Sequence, residues 1–336
     1  MTISDALVFD VYGFRFTVRG SSPCAIESLA KDFAFFQSAP AGQERLIEVL
    51  EEEPDYAVPP VCDASICTPR NVVYRNGRMA WLDYHGRGLG MHDSDSGVFR
   101  MASRDPHLLY EACYLFLLSE ISRYLDKRRL HRIHALATSL NGRAILVLLP
   151  MSGGKSTLAA HLLRHEDVRL MSDDSPYVDA SGRVHAFPLH VGLVSGAECE
   201  APERHRRTIH RMEFGPKVLV NYEYFADRVC ASADPGIVFL GRRTLSPDCR
   251  IEPAGMTAGV RAMISNSVVG LGLFHGLEFI LERSAWELLA KFNVAFSRLM
   301  NCLRLLHRSE LRFLHLGRDP EANAAAVVEH SRRLLR

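Results

Sequence analysis

Leu146-Val147-Leu148-Leu149-Pro150-Met151-Ser152-Gly153-Gly154-Lys155-Ser156-Thr157 is an apolar run that breaks at a proline and small residues, then delivers Lys-Ser-Thr into helix-forming sequence. Val147 to Leu149 read as the end of a buried strand, 151–154 as a tight loop, and Leu158-Ala159-Ala160-His161-Leu162-Leu163 as the first turns of an apolar-faced helix. Strand, loop and helix in that order predict a nucleotide-phosphate cradle over Ser152, Gly153, Gly154, Lys155, Ser156 and Thr157. Backbone N–H groups at a glycine turn and helix N-terminus attract oxyanions, Lys155 adds a point charge, and the Ser156 hydroxyl suits magnesium. The full pattern has a glycine where this chain has Leu149, so Pro150 must start the loop. The plainer alternative is a strand-to-helix turn with a solvated lysine.

A second feature decides between these. Val168-Arg169-Leu170-Met171 reads as a short strand, and it runs into Ser172-Asp173-Asp174. Magnesium-assisted phosphoryl transfer needs adjacent carboxylates near a phosphate loop, one for the metal and one for the acceptor proton. Successive side chains diverge on extended backbone, so Asp173 and Asp174 can divide those tasks. Ser-Asp-Asp is also good material for a turn or a helix cap. Beside the loop, the expectation is a site: Ser156 and Asp174 on the metal, with Asp173, Asp174 and Lys155 catalytic. His134 joins them if the strand carrying it pairs with the loop strand in suitable register; a half-buried structural histidine is the alternative.

Length and composition limit what surrounds this site. At 336 residues the chain has material for two domains, and a net charge of +1 gives no general pull toward nucleic acid or anionic lipid. The eight cysteines contain no Cys-x-x-Cys pair and no zinc-finger spacing, which predicts reduced thiols, no zinc and a cytoplasmic setting. No stretch reaches the length of an apolar membrane span, and the first residues do not read as a secretory leader.

Patterning gives an N-terminal α+β unit over 1–104, a connecting helix over 105–129 and a catalytic unit over 130–336. Strands are expected around Tyr12-Gly13 and around Asn76-Gly77, the latter a strong hairpin turn. A helix is expected over 25–36, and the acidic and proline-rich residues 48–60 read as surface loop or linker. In the second unit, strands are expected over 130–140, 143–149, 168–171, 177–178, 184–187, 217–222, 237–240 and 311–316. Helices are expected over 257–266, 284–307 and 321–335. The basic cluster Arg204–Arg211, which follows an acidic stretch over 198–203, reads as a solvated loop, with docking of an acidic peptide or phosphate as its alternative. Arg242 and Arg243 follow a strand end, where an arginine can stabilise charge on a transferring phosphoryl group.

Taken together, His134-Ala135, Asn141-Gly142-Arg143-Ala144-Ile145-Leu146, Gly153-Gly154-Lys155-Ser156-Thr157-Leu158-Ala159-Ala160 and Leu170-Met171-Ser172-Asp173-Asp174 resemble the catalytic domain of HPr kinase/phosphorylase and its relatives. The resemblance covers about 130–193. It implies an α/β (α+β) fold akin to phosphoenolpyruvate carboxykinase, with a mixed, mostly antiparallel sheet and flanking helices. It further implies ATP and Mg2+ as cofactors, phosphorylation of a serine hydroxyl on a protein or peptide, and homo-oligomerisation. The family's Leu-Glu-x-Arg-Gly-Leu-Gly segment has no counterpart at 185–193, so dephosphorylation is not expected. The first hundred residues do not match the family's usual regulatory domain, and its carrier-protein substrate is not assumed. Two other activities stay open: a nucleotide-binding sensor without catalysis, and a kinase of a small metabolite such as free serine.

Overall fold

The computed structural model describes residues 6–42, 44–193, 201–213, 215–268 and 285–336. The acidic residues expected over 198–200 and the helix start at Ser284 lie outside the described residues. The described residues group into two compact units, one built on 1–121 with 208–217 and the other on 122–207, 218–274 and 282–336. Both mix α and β structure around large mixed sheets. Among the described residues no helix is long and apolar enough to cross a membrane.

The first unit is an eight-stranded sheet in the order β1-β2-β3-β8-β7-β6-β5-β4. Its strands are β1 (Leu7–Val11), β2 (Phe14–Gly20), β3 (Arg45–Glu51), β4 (Ala64–Cys67), β5 (Val72–Asn76), β6 (Met79–Asp83), β7 (Gly88–Asp93) and β8 (Val98–Ser103). Tyr12 and Gly13 both take positive φ, +52° and +89°, which closes the β1–β2 hairpin as read, and Asn76-Gly77 closes β5–β6. Helix α1 (Pro23–Phe33) carries the chain from β2 to its parallel neighbour β3. Its apolar side, Ile26, Leu29 and Phe33, is buried, and the Phe33 ring meets Phe16 edge-on at 5.2 Å. Helix α2 (Pro106–Lys127) lays Phe116 flat on Phe99 at 3.9 Å.

Residues 48–51 are not the surface loop that their charge predicts. They lie in β3, between β2 and β8, with Ile47 and Val49 buried. Glu48 is tolerated there because Arg19 and Arg100, one from each neighbouring strand, both bond its carboxylate.

The second unit holds the loop. Its strands are β9 (His131–Arg132), β10 (Leu136–Leu140), β11 (Arg143–Leu148), β12 (Arg169–Ser172), β13 (Tyr177–Val178), β14 (Val184–His185) and β15 (His190–Leu193), then, past β16 (Arg206–Arg211) and β17 (Gly215–Asn221), whose residues are divided between the two units at 207/208 and 217/218, β18 (Ser232–Arg243), β19 (Arg250–Pro253) and β20 (Glu310–Leu316). The main sheet runs β12-β10-β11-β18-β14-β13-β9, with β20 also on β18 and β19 on β20. The pairs β11–β18 and β18–β20 are parallel, and the other main-sheet pairs among the described residues are antiparallel. Helices α3 (Lys155–Leu162) and α6 (Pro320–Leu334) cover one face, where Leu158 and Leu162 join Val147, Phe239, Val327 and Val328 in one core. Helices α4 (Met256–Met263) and α5 (Ala285–His307) cover the other, where Met263, Leu305 and Leu306 pack on Leu148 and Leu240.

Three expectations for 130–336 need correction. The single strand over 130–140 is two, interrupted at Ile133-His134-Ala135, because those N–H groups bond Pro176 O, Asn266 O and Asp174 O instead of a neighbouring ladder. The basic cluster Arg204–Arg211 is mostly strand β16, whose residues alternate exposed and half-buried, not a loop. The strand over 237–240 is the middle of the twelve-residue β18.

Candidate active site

The loop hangs from the carboxyl end of β11. Ser152 takes φ +58° and Gly154 φ +96°, both left-handed, and the latter caps α3. A side chain on Gly154 would be strained whatever the space, and a Cβ on Gly153 would meet Pro150 O at 2.8 Å. The Gly153 N–H donates to that same carbonyl at 2.9 Å, closing the turn. Pro150 thus starts the loop in place of the missing glycine. Beyond it, the first N–H groups of α3 have no intrahelical acceptor, as at any helix start.

Two registers deliver the partners. Leu136 pairs with Val147 across β10–β11, so the same register continued brings His134 level with Leu149. Ala137 pairs with Ser172 across β10–β12, and the Ala135 N–H donates to Asp174 O at 3.2 Å, so the aspartates leave β12 beside His134. The Lys155 ammonium then donates to His134 Nε2 at 2.8 Å, to Leu149 O at 3.0 Å and to Pro150 O at 3.3 Å, and it lies 3.6 Å from Asp174 Oδ1. An ammonium only donates, so Nε2 accepts and the neutral ring carries its proton on Nδ1. That nitrogen faces Asp174 Oδ1 at 3.2 Å, an electrostatic contact short of good hydrogen-bond alignment.

The two carboxylates have separate surroundings. Asp173 is buried; its Oδ2 accepts from the Ser156 hydroxyl at 2.8 Å and from the Gly192 N–H at 3.0 Å. Asp174 keeps 53% of its side chain exposed while facing His134 and Lys155. Burial of the group pushes its pKa up, but the contact with His134 and the charges of Lys155 and Arg132 outweigh that and hold it below the usual carboxylate range. Asp174 is therefore ionised at neutral pH.

The structure brings His134, Lys155, Ser156, Asp173 and Asp174 to the end of the loop formed by Ser152, Gly153 and Gly154, with Thr157 in the first turn of α3. It pairs the Ser156 hydroxyl with Asp173, not with Asp174. Arg243 reaches the loop as well, its Nη1 3.7 Å from where a Cβ on Gly154 would stand, and Arg242 lies over the Phe313 ring at 5.4 Å. The part of Gly192 was not legible in sequence, because a backbone N–H carries no residue signature. Among the described residues no three His, Cys, Asp or Glu side chains group to hold a metal by themselves. Magnesium asks for less, one or two carboxylates with phosphate and water oxygens completing its shell, and the adjoining Ser156 and Asp173 oxygens are hard donors of that kind.

No family model and no curated protein matches the chain. Among solved structures, the HPr(Ser) kinase/phosphatase from Coxiella burnetii aligns over 61% of this chain and 99% of that one, at 11% identity and a TM-score of 0.28.

Proposed function

We propose that the chain is an ATP- and Mg2+-dependent phosphotransferase that phosphorylates a serine hydroxyl of a protein or peptide. The observation that carries this reading is the convergence, at one glycine turn, of a buried lysine, a hydroxyl bonded to a buried carboxylate, and a second carboxylate held ionised. That set matches the charge requirements of phosphoryl transfer, whose catalysis is mostly positioning and electrostatic stabilisation.

In this reading the 152–157 turn binds the triphosphate tail, Lys155 neutralises its terminal oxygens, and Arg243 adds positive charge beside Gly154. Ser156 and Asp173 would hold Mg2+, which when bound neutralises charge on the β- and γ-phosphates. Asp174 accepts the proton of the acceptor hydroxyl as its oxygen bonds to the γ-phosphorus. The bond from that phosphorus to the β–γ bridging oxygen breaks, and ADP leaves. His134 acts on both, fixing Lys155 through Nε2 and facing Asp174 through Nδ1.

The test is transfer of labelled γ-phosphate from ATP to serine-containing peptides, with folding of each variant checked by circular dichroism. Transfer lost in folded Lys155→Ala and Asp174→Asn variants supports the assignment, and transfer surviving both removes it. One observation favours a second reading, a nucleotide sensor without catalysis: Lys155 is already committed to Leu149 O, Pro150 O and His134. Nucleotide binding with no transfer to any acceptor selects that reading.

A further inference from the structure

A cavity of about 930 Å³ opens beside the loop, on the sheet face covered by α4. It lies where the carboxyl ends of the parallel strands β11 and β18 meet α4 and the single π turn Ile264–Val268 that follows it. Crevices at such strand ends are where open α/β sheets take ligands, and π turns recur at functional sites. Helix α3, whose N-terminus carries the phosphate site proposed above, packs on the opposite face.

Three features of the cavity bear on its occupant. His134 lines it, and the same ring holds Lys155 and faces Asp174, so a group seated there abuts the acceptor end of the loop. Arg242 and Arg261 also line it, no lining residue is an Asp or Glu, and among the described residues neither guanidinium forms an ion pair. The rest of the wall combines apolar surface, Leu149, Leu240 and Phe313, with neutral hydrogen-bonding groups. The volume sits at the upper end of small-ligand sites, far more than one amino acid fills.

We propose that this cavity is the acceptor site, and that its acceptor is an acidic peptide segment in which the serine is flanked by carboxylates. The flanking carboxylates meet Arg242 and Arg261, and the serine hydroxyl reaches past His134 to Asp174. Two cations without a counter-ion among the described residues, on a wall whose described lining has no carboxylates, favour an anionic partner and penalise a cationic one. The proposal rests on the phosphotransferase reading for the hydroxyl's fate, and on the cavity alone for the peptide's charge.

The experiment uses the full chain and two fluorescein-labelled peptides that share a central serine, flanked by aspartates in one and by lysines in the other. Binding is read by fluorescence anisotropy without nucleotide, so it needs no catalysis; transfer from ATP is read separately. The aspartate peptide is expected to bind at least about tenfold tighter, with the advantage shrinking as salt rises. The double change Arg242→Glu with Arg261→Glu should reverse the preference, and the milder Arg242→Gln should narrow it if the double variant fails to fold. Equal binding of the two peptides by the native chain, a preference that the folded variants retain, or displacement of the peptide by adenosine would each overturn the proposal. Aspartate-peptide binding without any transfer would leave the cavity assignment standing and remove the kinase reading.

Discussion

The Lys155 ammonium and the His134 imidazole meet at 2.8 Å, Nζ to Nε2, although one leads the helix after the loop and the other sits in a break between two strands. The contact is not local, since 21 positions separate the two residues. The break at Ile133-His134-Ala135 is what frees His134 from a ladder, and Asn266 O, in the π turn, takes up its N–H at 3.0 Å. The lysine is thus pinned by the protein's own groups.

Removal of that ring should be felt as misplacement of the charge it holds. His134→Ala is expected to lower phosphate transfer by about a hundredfold, the scale of a displaced electrostatic group, while leaving the thermal unfolding midpoint within a few degrees. Parallel transfer assays and melting curves check this. Unchanged transfer would reduce His134 to a structural residue.

The separate surroundings of the two aspartates predict a split in kinetics. Asp173→Asn and Ser156→Ala should raise the Mg2+ concentration needed for half-maximal transfer by about tenfold, as loss of a metal-binding partner does. Asp174→Asn should leave that concentration in place and depress kcat instead. Magnesium titrations of the three variants read the difference, and a shared phenotype would mean that the roles are not divided.

A second ion cluster lies in the same unit. Asp126 bonds His131 Nδ1 at 2.8 Å and pairs with Arg298 at 2.5 Å, while His131 Nε2 meets the Ser297 hydroxyl at 2.8 Å. Burial raises the Asp126 pKa, but His131 and Arg298 outweigh it, and the net shift is downward. A depressed carboxylate stabilises the fold above its unfolded pKa, near 4, and the contribution fades as pH falls through the lower folded value. Asp126→Asn should therefore cost about 3 kcal/mol at pH 7. That cost should shrink as the solution is acidified below pH ~4, and urea unfolding across pH measures it. A penalty that grows on acidification would contradict the assignment.

Two glycines separate backbone strain from steric conflict. Gly142 has φ +72° with nothing within 4 Å of a would-be Cβ, whereas Gly182 has φ +86° and a Cβ there would stand 2.9 Å from the Leu305 backbone nitrogen. Gly142→Ala should cost about 1 kcal/mol, the left-handed penalty alone. Gly182→Ala should cost at least about twice that, because the α5 backbone must shift. Denaturant midpoints of the pair give the comparison.

What the sequence disclosed was local. The loop, the Asp173-Asp174 pair and the Tyr12-Gly13 and Asn76-Gly77 turns each carry their own backbone demand in adjacent residues. What it hid depends on distant partners. Glu48 reads as loop because its two arginines lie on strands far along the chain, and β3 reads as a strand only once they are in place. His134 reads as part of one strand because the carbonyls that interrupt it belong to 174, 176 and 266. The pairing of Ser156 with Asp173 was equally invisible, since Asp173 and Asp174 are chemically alike and only distant partners, Gly192 N–H for one and His134 for the other, distinguish them.

Strand β18 takes its parallel neighbours from 143–148 and 310–316, and α3 rests on side chains of 324–328. A chain leaving the ribosome exposes the glycine turn at 152–154 long before the segments that brace it have been synthesised. The braces behind that turn are complete only when translation has passed the helix at 320–334, so a nascent chain carries the turn, with its local bond from Gly153 to Pro150, before the layer that α3 packs on.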